Sequence, residues 1–444
     1  MFWLKTKFHM FFEIPRDLLK VIIVEYTPKS FFRFCYVLGL FNSTRLKEYL
    51  SPAFKLNFLN ELDIELESKK LIDLSTKLFN ASQSPRPTQL MGVEGLLGND
   101  NGKVNQFRFV KIVTPANWNN PETVGGRTQG PQIEFLKQGL ISCGLQVEII
   151  EVEENPNDFS YSHNLDMLLK DKKNLDRTLV FIWSITVINP KNKAFDVLKE
   201  MKVGGNFRGK IIGINTASPN SVHFPRFNDW TKLLDGVIYH EEKSAYKLEL
   251  EKLFEVRHMP FIQISDARPN ALTDISPGIH SSGLLKQNRL SWLITLKYIC
   301  LRLGYRHFIR AISNALSWAK LHDSYTPNET IAAERRNFML GFVMVHREPH
   351  LDCHLIGSFW DYYRLGVIPV IQMQNLVDFA SYMTPYLDYF PVVSELDLYL
   401  VLKISQDNPQ HFKNLQKRIL ERMEHEFTPK NIVRTVLEQF KFNV

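Results

Sequence analysis

The stretch HLIGSFWDYYRLGVIPVIQMQN, residues 354–375, joins one carboxylate to a turn and an apolar strand. Asp361 sits in helical text, Gly366 follows it, and the next strand contains Pro369. In that order the carboxylate can face the carboxyl ends of a parallel sheet, the edge at which such sheets bind ligands. The alternative is a helix charge with no ligand. A second candidate is NWNNPETVGGRTQGP, which places Gly125 and Gly126 between an apolar strand and a helix. Glycines there let backbone amides approach a pyrophosphate, and a helix N-terminus adds partial positive charge. The spacing is neither G-x-G-x-x-G nor a P-loop, so a flexible turn stands beside the phosphate reading. His346, His350, Cys353 and His354 carry enough nitrogen and sulfur for zinc, but their spacing matches no familiar structural site. They read as ligand-facing polar residues or as structural ones, and no metal is expected.

These residues need a frame. Aromatic and β-branched runs predict strands at 107–113 (FRFVKIV), 146–152, 178–186, 210–215, 236–240 and 261–264, with helical text between several of them, including 132–143. Strand and helix alternating in this way build a doubly wound parallel sheet. It is expected to end near residues 267–277, where Pro269, Asn270 and Pro277 mark a linker. A second α/β region follows, with helices at 289–303 and 358–365, strands at 337–346 and 367–372, and a charged helical tail over 408–443. The first 80 residues read as helical, and 81–103 as a linker rich in Ser, Pro, Gly and Asn. The chain thus divides into an extension and linker (1–100), a first Rossmann-like domain (101–270) and a second with C-terminal helices (271–444).

Composition narrows the function classes. Of 444 residues, 44% are hydrophobic and 23% charged, which leaves no room for a long disordered tract. The net charge of +7 is spread out, and no basic helix, RNP-like aromatic pair or zinc-finger spacing appears, so nucleic acid is not the expected partner. Cys35, Cys143, Cys300 and Cys353 lie far apart with no Cys-x-x-Cys pair, which fits a reducing cytoplasm better than a disulfide framework. At the N-terminus Phe2, Trp3, Phe8, Phe11 and Phe12 interleave with Lys5, Lys7 and Arg16. No apolar run approaches the roughly 20 residues that span a bilayer. Two readings stand: a segment lying at a membrane surface, or a cap packed on the body.

Residues 360–371, WDYYRLGVIPVI, resemble the donor-binding element of GT-B glycosyltransferases, in particular the exostosin-like and group-1 families. Pro385, Tyr389-Phe390 and Glu395-Leu396-Asp397-Leu398 fall where those families place an aromatic and acidic pair. The resemblance covers roughly 337–397, is architectural only over 107–264, and does not reach residues 1–100. It implies two Rossmann-like domains facing a cleft, a nucleotide-sugar donor held by the second, and a glycan or glycoconjugate acceptor held by the first. Asp361 would then accept from the donor's ribose hydroxyls, beside Gly357, Ser358 and His354. Lys286, Arg289 and Arg347 would offset the diphosphate in place of a metal, and no cofactor is implied. An inverting enzyme would also need a general base, for which His223 comes first, then Asp229 and His240. The chain departs from the families' pattern at Asp361, where Glu is frequent, at Ser358, where Arg is frequent, and at Cys353, where a second acid is usual. The rival readings are a sugar-nucleotide epimerase and a non-catalytic binding or assembly protein of the same fold.

Overall fold

The computed structural model describes residues 61–82, 107–115, 118–120, 124–152, 178–185, 193–205, 207, 209–215, 228–240, 242, 245–260, 262, 276–284, 287–312, 328–344, 357–373 and 380–442. The aromatic N-terminal segment lies outside them. Six strands form the first sheet: β1 (Phe109–Pro115), β2 (Gln146–Val152), β3 (Thr178–Trp183), β4 (Lys210–Asn215), β5 (Gly236–Tyr239) and β6 (Val256–His258). All are parallel, in the order β2-β1-β3-β4-β5-β6. Parallel sheets are covered on both faces, so their strands are continuous apolar runs, and β3 is buried at every position. Lys111, within buried β1, is accommodated because its amine reaches Glu148 on β2 at 3.0 Å. The chain returns between strands through α2 (Val124–Ser142), α3 (Lys193–Val203) and α4 (Ala245–Glu251).

The second sheet holds β7 (Ile279–Leu284), β8 (His307–Ile312), β9 (Leu340–Met344), β10 (Ile368–Gln372) and β11 (Phe390–Val392), in the order β11-β10-β9-β7-β8 and again all parallel. Its helices are α5 (Gln287–Leu303), α6 (Asn328–Arg335), α7 (Gly357–Tyr363), α8 (Glu395–Asp407) and α9 (Pro409–His425). The two sheets share one winding. Each begins on an interior strand, steps outward to an edge, and then crosses to the other side, so the order reverses between β1 and β3 and between β7 and β9. The doubly wound expectation is therefore met twice.

Several elements differ from the sequence expectation. The edge strand of the first sheet is β6, not 261–264, and Ile262 lies outside any strand. Helix α2 starts eight residues earlier than expected, taking Gly125 and Gly126 into its first turn and Pro131 into its body. Strands β7, β8 and β11 were not anticipated.

The two ends of the described chain are exchanged between the halves. Helix α1 (Glu61–Ser82) packs on α8 of the second half, whereas α10 (Pro429–Gln439) crosses back onto α2 of the first. The crossing is tight at Gly139, where any Cβ would run into Val433 and the carbonyl of Pro429. Beyond α10, Phe442 packs edge-on against Phe107 at 5.4 Å.

Candidate functional site at the carboxyl edges of the two sheets

The carboxyl edges of the two sheets meet. Glu242, just past β5, accepts hydrogen bonds from the backbone N–H and the hydroxyl of Ser381, the latter at 2.6 Å. His258, the last residue of β6, places Nε2 2.7 Å from the hydroxyl of Tyr382. Ser381 and Tyr382 lie on the way from the carboxyl end of β10 to β11. Both order reversals open toward such edges, which is where doubly wound sheets bind ligands.

Along the first sheet, that edge carries a row of buried polar residues. Thr114 lies near the end of β1, Ser184 just after β3, Asn215 at the end of β4, His240 just after β5 and His258 at the end of β6. The strand interiors are mostly apolar, Lys111 with its partner Glu148 excepted, so buried polar types gather where the strands stop. The Thr114 hydroxyl has no partner among the described residues. Ser184 has a φ of 57°, a conformation that side chains rarely adopt and that turns the chain sharply at the β1/β3 reversal. Gly125 and Gly126 open α2 on this same half, with their amides at its first turn.

On the second sheet the polar residues begin inside a strand. In β7 His280 and Ser281 are fully buried, and Ser282 is half-buried. His280 Nδ1 is 2.7 Å from the hydroxyl of Tyr362 on α7, while its ring stacks on Phe308. Burial, then Arg335 and Arg310, holds the His280 imidazole well below its ordinary pKa, so it is neutral near pH 7. Helix α7 lies on β9 through the same Tyr362, whose ring occupies the space a side chain at Gly341 would take.

Asp361 precedes Tyr362 on α7. Because α7 returns antiparallel to β9 and β10, its Cα–Cβ bonds tilt toward its N-terminus and so toward the carboxyl edge. Arg335, at the end of α6, donates to Asp361 Oδ2 at 2.6 Å and to the Ser282 hydroxyl at 3.3 Å, with its guanidinium 4.8 Å from the Tyr362 ring centre. Burial alone would lower the Arg335 pKa, but Asp361 and Tyr362 outweigh it and raise it, so the guanidinium stays charged. Asp361 Oδ1 is buried with no partner among the described residues. A buried carboxylate oxygen left in this state is an acceptor waiting for a donor. Arg364, on the turn after α7, lies in the same electrostatic neighbourhood, its pKa lowered chiefly by burial.

Of the residues singled out from sequence, Gly357 and Ser358 open α7 on the turn before Asp361. Arg289 sits in the first turn of α5 at the carboxyl end of β7, with burial lowering its pKa. His240 takes its place in the polar row. Asp229 is exposed beside Trp230, which turns inward to donate to the carbonyl of Ile185. His223, Lys286, Arg347 and His354, together with His346, His350 and Cys353, lie outside the described residues. Among the described residues, no cluster of three His, Cys, Asp or Glu side chains could hold a metal ion, and no helix is long and apolar enough to cross a membrane. Sequence reasoning missed Arg335, His280, Ser281 and Ser282. The signal for β7 was IHSSGL, a run of β-strand length whose polar centre hid its burial.

No known family profile matches the chain, and no curated protein matches it significantly. Solved structures similar in chain course include the catalytic domain of starch synthase IV from Arabidopsis thaliana bound to ADP and acarbose. There the identity is 11%, the TM-score 0.48, and the match covers 76% of this chain and 99% of that one. An alpha-glucosyltransferase in complex with UDP-glucose and DNA containing an abasic site is 9% identical, with a TM-score of 0.49 over 75% of this chain and 99% of that one. Sucrose-phosphate synthase from Thermosynechococcus elongatus is 11% identical, with a TM-score of 0.43 over 75% and 98%.

Proposed function

We propose that this chain is a nucleotide-sugar-dependent glycosyltransferase of GT-B architecture, moving a sugar from a nucleotide donor to a glycan or glycoconjugate. The single observation that carries this reading is the unpartnered, buried oxygen of Asp361 beside the β7/β9 reversal, on the helix where the sequence resembles a donor-binding element. Arg335 holds the carboxylate through its other oxygen, so Oδ1 is the atom left to accept from a ribose hydroxyl. Gly357 and Ser358 on α7 and Arg289 on α5 stand on the same sheet edge and suit the diphosphate and sugar, with Lys286, Arg347 and His354 as further donor-side candidates. The polar row of the first sheet suits an acceptor rich in hydroxyls, with His240 in that row a candidate base and His223 and Asp229 the other candidates. Gly125 and Gly126, in the first turn of α2, would offer backbone amides to the donor's diphosphate from the first half. Closure of two such edges over a donor would exclude water that otherwise hydrolyses it. Side chains and helix ends would carry the leaving diphosphate without a metal. An aqueous cytoplasmic setting is proposed with it, the N-terminal aromatic and basic segment being the part suited to a membrane surface.

A binding protein that keeps the fold without the chemistry is the second reading, favoured by the claim that Arg335 already makes on one Asp361 oxygen. The two separate experimentally. Calorimetry and thermal shift against UDP, ADP, GDP, CMP, dTDP and their sugars should give a selective rise in melting temperature for one nucleotide class, since ligand bound to the folded state stabilises it by mass action. Slow hydrolysis of the matching nucleotide sugar, measured as released nucleotide, marks the transferase; binding with no hydrolysis or transfer marks the binding protein. No response to any nucleotide would remove both.

A further inference from the structure

Residues 380–389, on the way from β10 to β11, are gripped from three directions. The first half reaches them through Glu242 on Ser381 and His258 on Tyr382, whose rings also stack 5.6 Å apart. From α9, Arg422 donates to the Tyr382 carbonyl at 3.0 Å, and both Arg418 and Arg422 pair with the fully buried carboxylate of Asp388. From α1, Ser75 donates to the carbonyl of Tyr386 at 2.7 Å and meets His411 Nε2 at 2.8 Å. Asp388 also accepts from the Thr384 N–H at 2.8 Å and from the hydroxyl of Tyr363 at 2.9 Å. Tyr363 is on α7, two residues after Asp361.

Burial would raise the Asp388 pKa, but Arg422 and Arg418 outweigh it and hold the carboxyl below its usual range. A buried carboxylate shared by two guanidinium groups, a hydroxyl and an amide is costly to take apart, so loop, α9 and α7 move as one body. What the first half does to Tyr382 is therefore delivered to the helix that bears Asp361.

We infer that Glu242 and His258 are positioning residues: by fixing Ser381 and Tyr382 they set α7, and with it Asp361, so that the donor side is fully formed only while the two sheet edges touch. The claim about α7 stands on the contacts themselves. Its consequence for nucleotide affinity rests on the function proposed above.

The test is the full chain carrying Ser381→Ala and Tyr382→Phe together. These changes delete both hydroxyls that reach the first half yet keep the Tyr382 carbonyl on Arg422 and the whole Asp388 cluster. Hydrogen exchange without ligand should quicken about fivefold or more both in a peptide over 381–388 and in one over 357–366, with 128–142 unchanged as the control. Nucleotide Kd should rise by a similar factor. Glu242→Ala should reproduce both effects and Glu242→Gln, which keeps one acceptor, should lie between wild type and Ala. Quicker exchange confined to 381–388, or in neither peptide, overturns the inference. So does unchanged nucleotide affinity in a variant whose α7 has loosened. If wild type binds no nucleotide, the functional proposal fails on its own and the exchange pattern still decides whether α7 is positioned from the first half.

Discussion

Arg335 and Asp361 are each at least 85% covered, their side chains 10% and 14% exposed. Removing one partner of such a pair leaves an uncompensated charge and costs about 3 to 5 kcal/mol, whereas replacing both with apolar residues of similar size is often neutral or stabilising. Asp361→Asn is thus expected to weaken nucleotide binding and also to lower stability by about 3 kcal/mol. The double variant Arg335→Met/Asp361→Leu should recover most of the stability and none of the binding. Urea unfolding and calorimetry on the same samples check this, and binding retained by the double variant would take Asp361 out of the site. His280 gives the residue scale its pH dependence. Its folded pKa is well below the unfolded value of about 6.5, so below that pH the unfolded chain binds a proton that the folded chain refuses. Stability contributed here is complete above about pH 6.5 and falls as the pH drops, by about 1.4 kcal/mol per unit until the folded pKa is reached. His307 and His411 are lowered too, each mainly by burial, so the His280 share is the difference between wild type and His280→Asn in urea midpoints from pH 7 to 5. Equal slopes would mean that His280 titrates normally.

At the scale of elements, what could be read from sequence follows burial. Strands 146–152 and 210–215 match their predicted bounds, and 178–183 falls inside its predicted run, because apolar β-branched text means the same thing in any covered parallel strand. Strand β7 escaped because His280, Ser281 and Ser282 interrupt its apolar text. The partners that make this burial tolerable lie far off in sequence, 82 residues away for Tyr362 and 53 for Arg335. Local periodicity carries no record of such contacts, and the same distance hid Arg335 while Asp361, set in a recognisable helix-turn-strand, was visible. The edge strand β6 was displaced for a related reason: a three-residue strand with Arg257 and His258 in it has too little pattern to read. Between α7 and β9 the decisive residue is one with no side chain. A methyl group at Gly341 would collide with the Tyr362 ring, which cannot retreat without leaving His280. Gly341→Ala is expected to cost about 1 to 3 kcal/mol as overpacking, and to displace α7 enough to weaken nucleotide binding more than an equally destabilising change in the first sheet. Affinity falling no further than in such a control would show that α7 tolerates the shift.

For the whole molecule, the exchanged helices decide how the halves depend on each other. Domains with their own complete cores can unfold separately. Here the first sheet borrows α10 from the far end of the chain, and the second half borrows α1 from before β1. Ile432, Val433, Val436 and Leu437 of α10 are all buried, at about 1.5 to 3 kcal/mol each for full burial. Their sum is comparable with the about 5 to 15 kcal/mol that stabilises a typical folded protein. Wild type should therefore melt in one transition, with tryptophan fluorescence, to which both halves contribute through Trp183, Trp230, Trp292 and Trp360, and circular dichroism of the whole chain giving the same midpoint. A chain ending at Phe427 should lose that coincidence, because the face of α2 around Gly139 is uncovered while Asp388, Arg418 and Arg422 remain intact in the second half. Protease would then cut first within 107–262 and spare 279–426. Coincident transitions after truncation would mean instead that the sheet-edge contacts of Glu242 and His258, rather than the exchanged helix, bind the halves into one cooperative unit, and the two explanations separate when Ser381→Ala/Tyr382→Phe is added to the shortened chain.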